Sequence, residues 1–365
     1  MTKIVSVRII YHMSTDTKVT KAKTSSQKFQ QIVSRLPEFT ENYLLSGMAN
    51  KSPLTKENYA RDIEAFLQFA IGFYPYFPEK ALKEITIADI SQISTLDIDR
   101  YIQWMADSDL SERTQARRKT AISMLFNYLQ NTENLLSANP VRNAQKVEIE
   151  QSDFVSYLKM DEQEKLLDCI KNGTGLSKRQ LSFHKKYWER DLAIIFLFLD
   201  SGLRISELQS LNVFDMVIYE NDMNPDENEC CMVVLRKGKK SSKTPSKVYF
   251  SDESKTYINE YLQTRINKGE KFSDTTPLFT TLDGERLSIR EIQKMLKKYI
   301  NASIGRNDIS VHKLRSSFAM EFYKHEHDLL VLQQRMGHKS IAATNIYAKA
   351  SDKEEAVKRS RNWRK

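Results

Sequence analysis

The sequence predicts a mainly helical protein with two domains and a small antiparallel sheet in the second domain. Its 365 residues are too many for one ordinary core, because single domains mostly run to about 100–200 residues. Apolar residues recur at helical spacing along much of the chain, as in Ile122, Leu125, Phe126 and Leu129. By contrast, only residues 231–236 and 247–250 have the length and composition of core strands, and they flank a basic turn.

The segments follow one another in a clear order. The first 36 residues are rich in Lys, Ser and Thr, with a possible strand at Ile4–Tyr11, and are interpreted as an accessory arm. Residues 37–138 are predicted to form a compact helical domain. The polar stretch 139–153 lacks a sustained period and is predicted to be a linker. Residues 154–350 then form the second domain, and 351–365 a tail.

Helix start and stop signals define the second domain. The apolar run from Glu189 to Leu199 predicts a buried helix that ends at Gly202, and Gly337 is a second stop. Ser288 with Glu291 three positions later predicts a capping box. Further helices are predicted at 251–268, 288–301, 311–324, 328–336 and 340–350. The polar stretch 172–186 resembles an insertion and suggests no role.

The charge distribution favours a polyanionic partner. The chain carries 56 Lys and Arg against 47 Asp and Glu, a net charge of +9. Residues 1–150 hold 19 basic and 17 acidic side chains, so 151–365 hold 37 and 30, and the second half is where phosphate is expected to bind. Three cysteines without zinc spacing and no long apolar run predict a cytoplasmic protein that is neither exported nor in a membrane.

Four segments of the second domain carry candidate chemistry. They read S-G-L-R-I-S-E-L at 201–208, R-K-G-K-K at 236–240, H-K-L-R-S-S-F-A at 312–319, and M-G-H-K-S with N-I-Y at 336–347. Together these segments resemble the signature of the tyrosine recombinase family, which includes phage integrases and Xer-like site-specific recombinases. The resemblance implies a helical SAM-like core-binding domain and an α+β catalytic domain of the DNA breaking-rejoining fold. It also implies six catalytic residues: Arg204, Lys237, His312, Arg315, His338 and Tyr347.

The residue types suit attack on a phosphodiester. Two guanidinium groups, Arg204 and Arg315, can hold the non-bridging oxygens as these gain negative charge. His312 lies one helical turn before Arg315 and is the candidate base for Tyr347, whose phenol has an ordinary pKa near 10. His338 is a candidate donor to the phosphate. Glu207, one turn beyond Arg204, is expected to orient the site.

The proton for the leaving oxygen is assigned to a lysine of the basic turn. Lys237 fits the family's K-G-x-K turn best, but Lys239, Lys240 and Lys243 lie close by and stay open as alternatives. The chain also has Ser316 where the family often has His, and Met336 where it usually has Leu. Neither residue is expected to react.

DNA contacts are expected from two basic segments. Residues 236–247 contain six Lys or Arg and no acid, with Lys239 and Lys240 as candidate contacts. One helix start of the first domain supplies four more: Arg113, Arg117, Arg118 and Lys119. The chain has no P-loop and no clustered carboxylates, so no nucleotide, metal or other cofactor is expected.

The resemblance implies a DNA strand exchange enzyme that works through a 3′-phosphotyrosyl intermediate in integration, excision or resolution, as in mobile elements. It implies specific core sites on double-stranded DNA, a dimer on each site, a tetramer in the synapse, and an accessory DNA-bending or directionality factor. The tail, residues 351–365, is expected to form a short basic helix that docks on a neighbouring subunit. The alternatives are a type IB topoisomerase, which would not pair two sites, and a DNA-binding protein without catalysis, which would form no covalent adduct.

Overall fold

The computed structural model describes residues 27–77, 80–149, 154–219, 229–235 and 245–362. These residues form two compact units, 27–149 and 154–362, and each has its own hydrophobic core. The expected strand at Ile4–Tyr11 and the basic turn with Lys237, Lys239 and Lys240 lie outside the described residues. The predicted fold class, mainly helical with one small antiparallel sheet, is confirmed.

The first unit is a helical bundle. Its helices are α1 (27–33), α2 (Glu38–Asn42, continued by a π-helical turn), α3 (Pro53–Phe73), α4 (Ile87–Ser91), α5 (Thr95–Asp107) and α6 (Glu112–Asn131). Ser52 caps α3 ahead of a proline at the first helical position, where a missing N–H costs nothing. Phe66 of α3 meets Tyr101 of α5 and Phe126 of α6 edge to face at the centre of the core.

Residues 139–144, the first part of the predicted linker, pack on the first unit. Val141 and Ala144 are buried in its core. The Asn139 side chain donates to the Ser123 carbonyl (3.1 Å) and to Asn127 Oδ1 (3.0 Å). This segment therefore has a fixed conformation despite its polar composition.

The second unit contains nine helices in the described residues. They are α7 (Met160–Asn172), α8 (Lys178–His184), α9 (Trp188–Ser201), α10 (Ile205–Ser210), α11 (Asp252–Asn267), α12 (Ile289–Ser303), α13 (Val311–Glu326), α14 (Leu329–Met336) and α15 (Ala342–Asn362). Helix α9 is the central element, because it is mostly buried and packs against α7, α11 and α13. Its apolar run in the sequence reflects this position.

The sheet has three antiparallel strands in the order β1 (Met216–Tyr219), β2 (Glu229–Leu235) and β3 (Pro245–Tyr249). Cys231 faces Val217 on one side and Tyr249 on the other. β2 and β3 were predicted, whereas β1 was not, because a run of four residues is too short to give a clear strand pattern.

Helix α15 is longer than the predicted 340–350 segment and runs without a break through the tail to Asn362. Beyond Tyr347, Glu354 accepts a hydrogen bond from the Tyr157 hydroxyl (2.8 Å) and pairs with Lys324 (3.1 Å). The tail is thus an extension of the helix that carries Tyr347. None of the helices described in either unit is both long and apolar enough to span a bilayer.

Candidate active site

Arg315 is the most deeply buried of the predicted site residues, with 1% of its surface exposed. It lies one turn into α13, where its Nη1 donates to the carbonyl of Gly202 and its Nη2 to the carbonyl of Met336. A buried guanidinium is costly unless its donors are satisfied, and here main-chain oxygens from two other helix ends satisfy them. The cation is therefore held in one orientation.

Arg204 is fixed by the neighbouring acceptors. It is the N-cap of α10, and Glu207 accepts from both its backbone N–H (2.9 Å) and its Nη1 (2.6 Å). Its Nη2 donates to the carbonyl of Gly337 (3.0 Å). Glu207 thus orients Arg204 as expected from the sequence. Because Met336 and Gly337 are adjacent, Arg204 and Arg315 converge on the same turn.

Two glycines in the left-handed conformation shape these helix ends. Gly202 (φ +62°) ends α9, and Gly337 (φ +59°) ends α14. The last carbonyls of a helix have no partner within it and carry the negative end of its dipole, so they attract cations. A Cβ on Gly202 would come within 2.4 Å of Phe318, so the position needs glycine for space as well as for conformation.

His312 stands at the partly exposed start of α13, one turn before Arg315. Partial burial of its ring lowers its pKa below the ordinary value, and the positive charges of Arg315, Lys313 and Arg204 lower the pKa further. Its imidazole is consequently neutral at neutral pH and able to accept a proton.

His338 follows the Gly337 cap and is oriented by a residue that the sequence analysis missed. Its Nδ1 lies 2.9 Å from the hydroxyl of Thr344, which is fully buried on α15. The carbonyl of His338 accepts from Gln333 Nε2 (3.1 Å). A threonine three residues before Tyr347, on the face that the helix buries, was the available signal.

Tyr347 is buried in an apolar cluster with 3% of its surface exposed. The cluster includes Phe318, Leu332 and Met336. Among the described residues, no hydrogen bond joins its hydroxyl to the site arginines or histidines. The structure thus brings Arg204 and Arg315 together, with His312 and His338 beside them, and buries Tyr347 in the adjoining core.

Three of the four predicted DNA contacts of the first unit, Arg117, Arg118 and Lys119, also interact with other residues of that unit. Arg113 is exposed at the start of α6, and Arg117 Nη1 donates to the buried carboxylate of Asp62 on α3. Arg118 Nε lies 3.8 Å from the other oxygen of Asp62. Lys119 donates to the carbonyls of Ala144 (2.9 Å) and Gln145, and burial lowers its pKa. Sequence reasoning did not identify Asp62.

The arrangement suits an anionic tetrahedral centre. It offers two fixed guanidinium groups and two imidazoles drawn from α10, α13 and the end of α14. In the described parts of the chain, no group of three or more His, Cys, Asp or Glu is arranged to hold a metal ion. The chemistry that these side chains can provide is charge stabilisation and proton transfer.

Comparisons with known proteins agree with this geometry. The model of the phage integrase family matches residues 156–354. Tyrosine recombinase XerC of Thermodesulfovibrio yellowstonii is 30% identical over 296 residues, covering 80% of this chain and 84% of that protein. Tyrosine recombinase XerC of Caldanaerobacter subterraneus is 27% identical over 336 residues, covering 88% and 86%.

Solved structures show the same fold. The post-cleavage complex of the XerH site-specific recombinase bound to its palindromic difH substrate matches with a TM-score of 0.64, at 20% identity over 93% of this chain and 95% of that one. The Tn1549 transposon integrase in complex with transposon right end DNA matches with a TM-score of 0.61, at 19% identity over 91% and 99%.

Proposed function

Since this chain belongs to the phage integrase family and is a site-specific tyrosine recombinase, we propose that Tyr347 attacks a DNA phosphate held by Arg204 and Arg315. The observation that carries this proposal is the anchoring of both guanidinium groups on carbonyls at the ends of α9 and α14. Cationic donors that are fixed before the substrate arrives need no reorganisation when the phosphate oxygens gain charge. Such preorganisation is the main source of electrostatic catalysis.

The base is His312. A phenol is a weak nucleophile while protonated, and a neutral imidazole near the phosphate can take its proton as the new bond forms. Burial and the nearby arginines lower the pKa of His312, which keeps the imidazole neutral at neutral pH. We assign to it the proton of the Tyr347 hydroxyl, which has to leave the apolar cluster before it can reach the imidazole and the phosphate.

The second imidazole acts as a donor. The Thr344 hydroxyl, 2.9 Å from Nδ1 of His338, can donate to that nitrogen. With Nδ1 as acceptor, the ring proton resides on Nε2, and His338 presents an N–H to a non-bridging oxygen. Thr344 therefore positions His338 and does not itself contact the substrate.

Cleavage forms one bond to phosphorus and breaks another. Tyr347 Oη becomes bonded to phosphorus, the 5′-oxygen leaves with a proton from Lys237, and a 3′-phosphotyrosyl intermediate remains. Lys239, Lys240 and Lys243 are the alternative donors, and all four lysines lie outside the described residues. Since the phosphotyrosyl bond retains the energy of the phosphodiester, a 5′-hydroxyl can reverse the reaction without a nucleotide.

DNA is the partner of this enzyme, and we assign the grip to the basic turn and to the start of α6. Arg113 and Arg117 lie four residues apart on one exposed face of that helix, where both can reach phosphates. We further propose two subunits on each core site and four in a synapse that exchanges strands, aided by an accessory DNA-bending or directionality factor. A plasmid with two sites should then yield recombinant products as well as relaxed circles.

Covalent trapping on a nicked suicide duplex tests the mechanism. The natural chain should form an adduct that survives denaturation, and Tyr347→Phe should form none, because it lacks the attacking oxygen. Tyr257→Phe is the matched control, since Tyr257 on α11 hydrogen-bonds to Glu253 and Lys171 and has no proposed role. An adduct that persists in Tyr347→Phe refutes the assignment of the nucleophile.

A further inference from the structure

A buried carboxylate lies in the apolar core of the first unit. Asp62 of α3 is 2% exposed and neighbours Ile63, which is fully buried. Burial raises its pKa above the ordinary value, even though Arg117 and Arg118 act to lower the pKa. Removing a charge from water is unfavourable, so its presence here calls for a physical reason.

The partners of Asp62 come from the basic start of α6. Arg117 Nη1 donates to Oδ2, and Arg118 Nε lies 3.8 Å from Oδ1. The Asp62 side chain is inside the bundle, whereas 45% of the Arg117 side chain and 20% of the Arg118 side chain are exposed. The carboxylate thus fixes, from within, a guanidinium that faces outward.

The ion pair is not the sole contact between α3 and α6. Phe66 and Phe126 already pack α3 against α6 through the apolar core. A buried ion pair is often no more stabilising than apolar side chains of the same size, so stability alone does not explain this pair. A fixed arginine has lost its rotamer freedom on folding and does not lose it again when a phosphate binds.

We propose that Asp62 is a positioning residue for DNA binding, which holds Arg117 in the orientation that contacts a backbone phosphate. The inference rests on the proposed DNA contact of α6. It goes beyond that contact because it makes the buried acid Asp62 necessary for tight DNA binding. Simple electrostatics gives the opposite expectation: removal of a negative charge near DNA should tighten binding.

The test compares DNA affinity in variants that differ by one charge. Phosphate contacts do not depend on sequence, so the probe is a duplex of arbitrary sequence, titrated at several salt concentrations. Asp62→Asn keeps the shape of the side chain and removes its charge. Glu64→Gln is the matched control, since Glu64 lies on the same helix and pairs with Arg35 (2.9 Å).

Asp62→Asn should raise the Kd about 5- to 10-fold and reduce the salt slope by about one phosphate contact. Glu64→Gln should leave the Kd unchanged or lower it. The double variant of Asp62→Asn with Arg117→Gln should bind no more weakly than Arg117→Gln alone, because the acid acts through that arginine. Unchanged or tighter binding by Asp62→Asn, or additive losses in the double variant, overturns the inference.

Two further comparisons keep the test decisive. If Arg117→Gln leaves the Kd and the salt slope unchanged, the proposed DNA contact of α6 is refuted. If Arg117→Gln weakens DNA binding but Asp62→Asn does not, only the positioning role of Asp62 is refuted. If Asp62→Asn does not fold, as checked by thermal unfolding, Arg117→Lys is compared with Arg113→Lys in the natural background. If Asp62 holds the planar guanidinium of Arg117 in one orientation, only Arg117→Lys should weaken DNA binding. Equal effects of the two substitutions overturn the inference.

Discussion

Arg315 in the second unit and Arg117 in the first are both arginines that the fold holds in place, but their acceptors differ. Arg315 is buried and donates to two main-chain carbonyls. Arg117 is largely exposed and donates to a carboxylate. The two carbonyls are neutral acceptors, whereas Asp62 is an anion that offsets the charge of Arg117.

The difference fits the two roles that we propose for these arginines. A cleavage site must stabilise charge that develops on phosphate oxygens, so helix-end dipoles that orient a cation without neutralising it suit the buried position. A DNA-binding surface needs many modest contacts, and orientation matters more there than net charge. Arg204 lies between these cases, because it donates both to Glu207 and to the Gly337 carbonyl.

The largest effect is expected from a substitution of Arg315, the buried arginine. Arg315→Lys should slow single-turnover cleavage of saturating DNA by about 10²- to 10³-fold, because an ammonium cannot span both carbonyls and also face a phosphate. DNA affinity should change little. Arg290→Lys, at an exposed position on α12, is the control. Equal losses of affinity and cleavage would mean that Arg315 only grips DNA.

A second experiment disturbs the carbonyl anchor and leaves the arginine unchanged. Gly202→Ala places a Cβ against Phe318 at a residue with positive φ, which should destabilise the fold by about 1–3 kcal/mol and reduce cleavage at temperatures where the chain stays folded. Gly269 also has positive φ (+84°) but faces open space. Gly269→Ala should therefore cost stability without affecting cleavage, as measured by thermal unfolding and suicide-substrate trapping. Parallel losses of cleavage in both variants would contradict the role of the anchor.

The smallest effect is expected from protonation of Asp62, the partner of the exposed Arg117. Because burial raises the pKa of Asp62, this carboxyl gains its proton at a pH where ordinary aspartates, with pKa values near 3.9, are still ionised. As the pH falls from neutral toward the ordinary aspartate range, the DNA affinity of the natural chain should decrease about two- to threefold more than that of Asp62→Asn, since only the natural chain loses the ion pair. Other titrating groups are common to both proteins. A ratio of affinities that stays constant would argue against the role of Asp62.

The elements of the fold were predictable wherever local chemistry specifies them. Gly202 and Gly337 end helices as expected, and Ser288 with Glu291 forms the predicted capping box. A short helix in the tail was expected, but its continuity with the helix that carries Tyr347 was not predictable, because the extension is held by the distant side chains of Tyr157 and Lys324. Tertiary contacts of this kind leave no mark on neighbouring residues.

The candidate site shows a similar division. Residue type and order selected Arg204, His312, Arg315, His338 and Tyr347, whose roles stay predictions, whereas family membership is confirmed by the comparisons. Their anchors could not be predicted, since main-chain carbonyls carry no residue signature. Asp62 was missed for another reason: an acid on a helix is usually a solvated side chain, and its partner lies 55 residues away.

Main-chain anchoring also bears on how the site tolerates sequence change. The oxygens that hold Arg315 and one arm of Arg204 belong to the peptide backbone, so most replacements at Met336 leave the acceptor itself in place. What must persist is a chain path through two left-handed turns at Gly202 and Gly337. Mutational scanning should accordingly find intolerance at these glycines, whereas Met336, which is buried in the apolar cluster, should tolerate other apolar side chains of similar size.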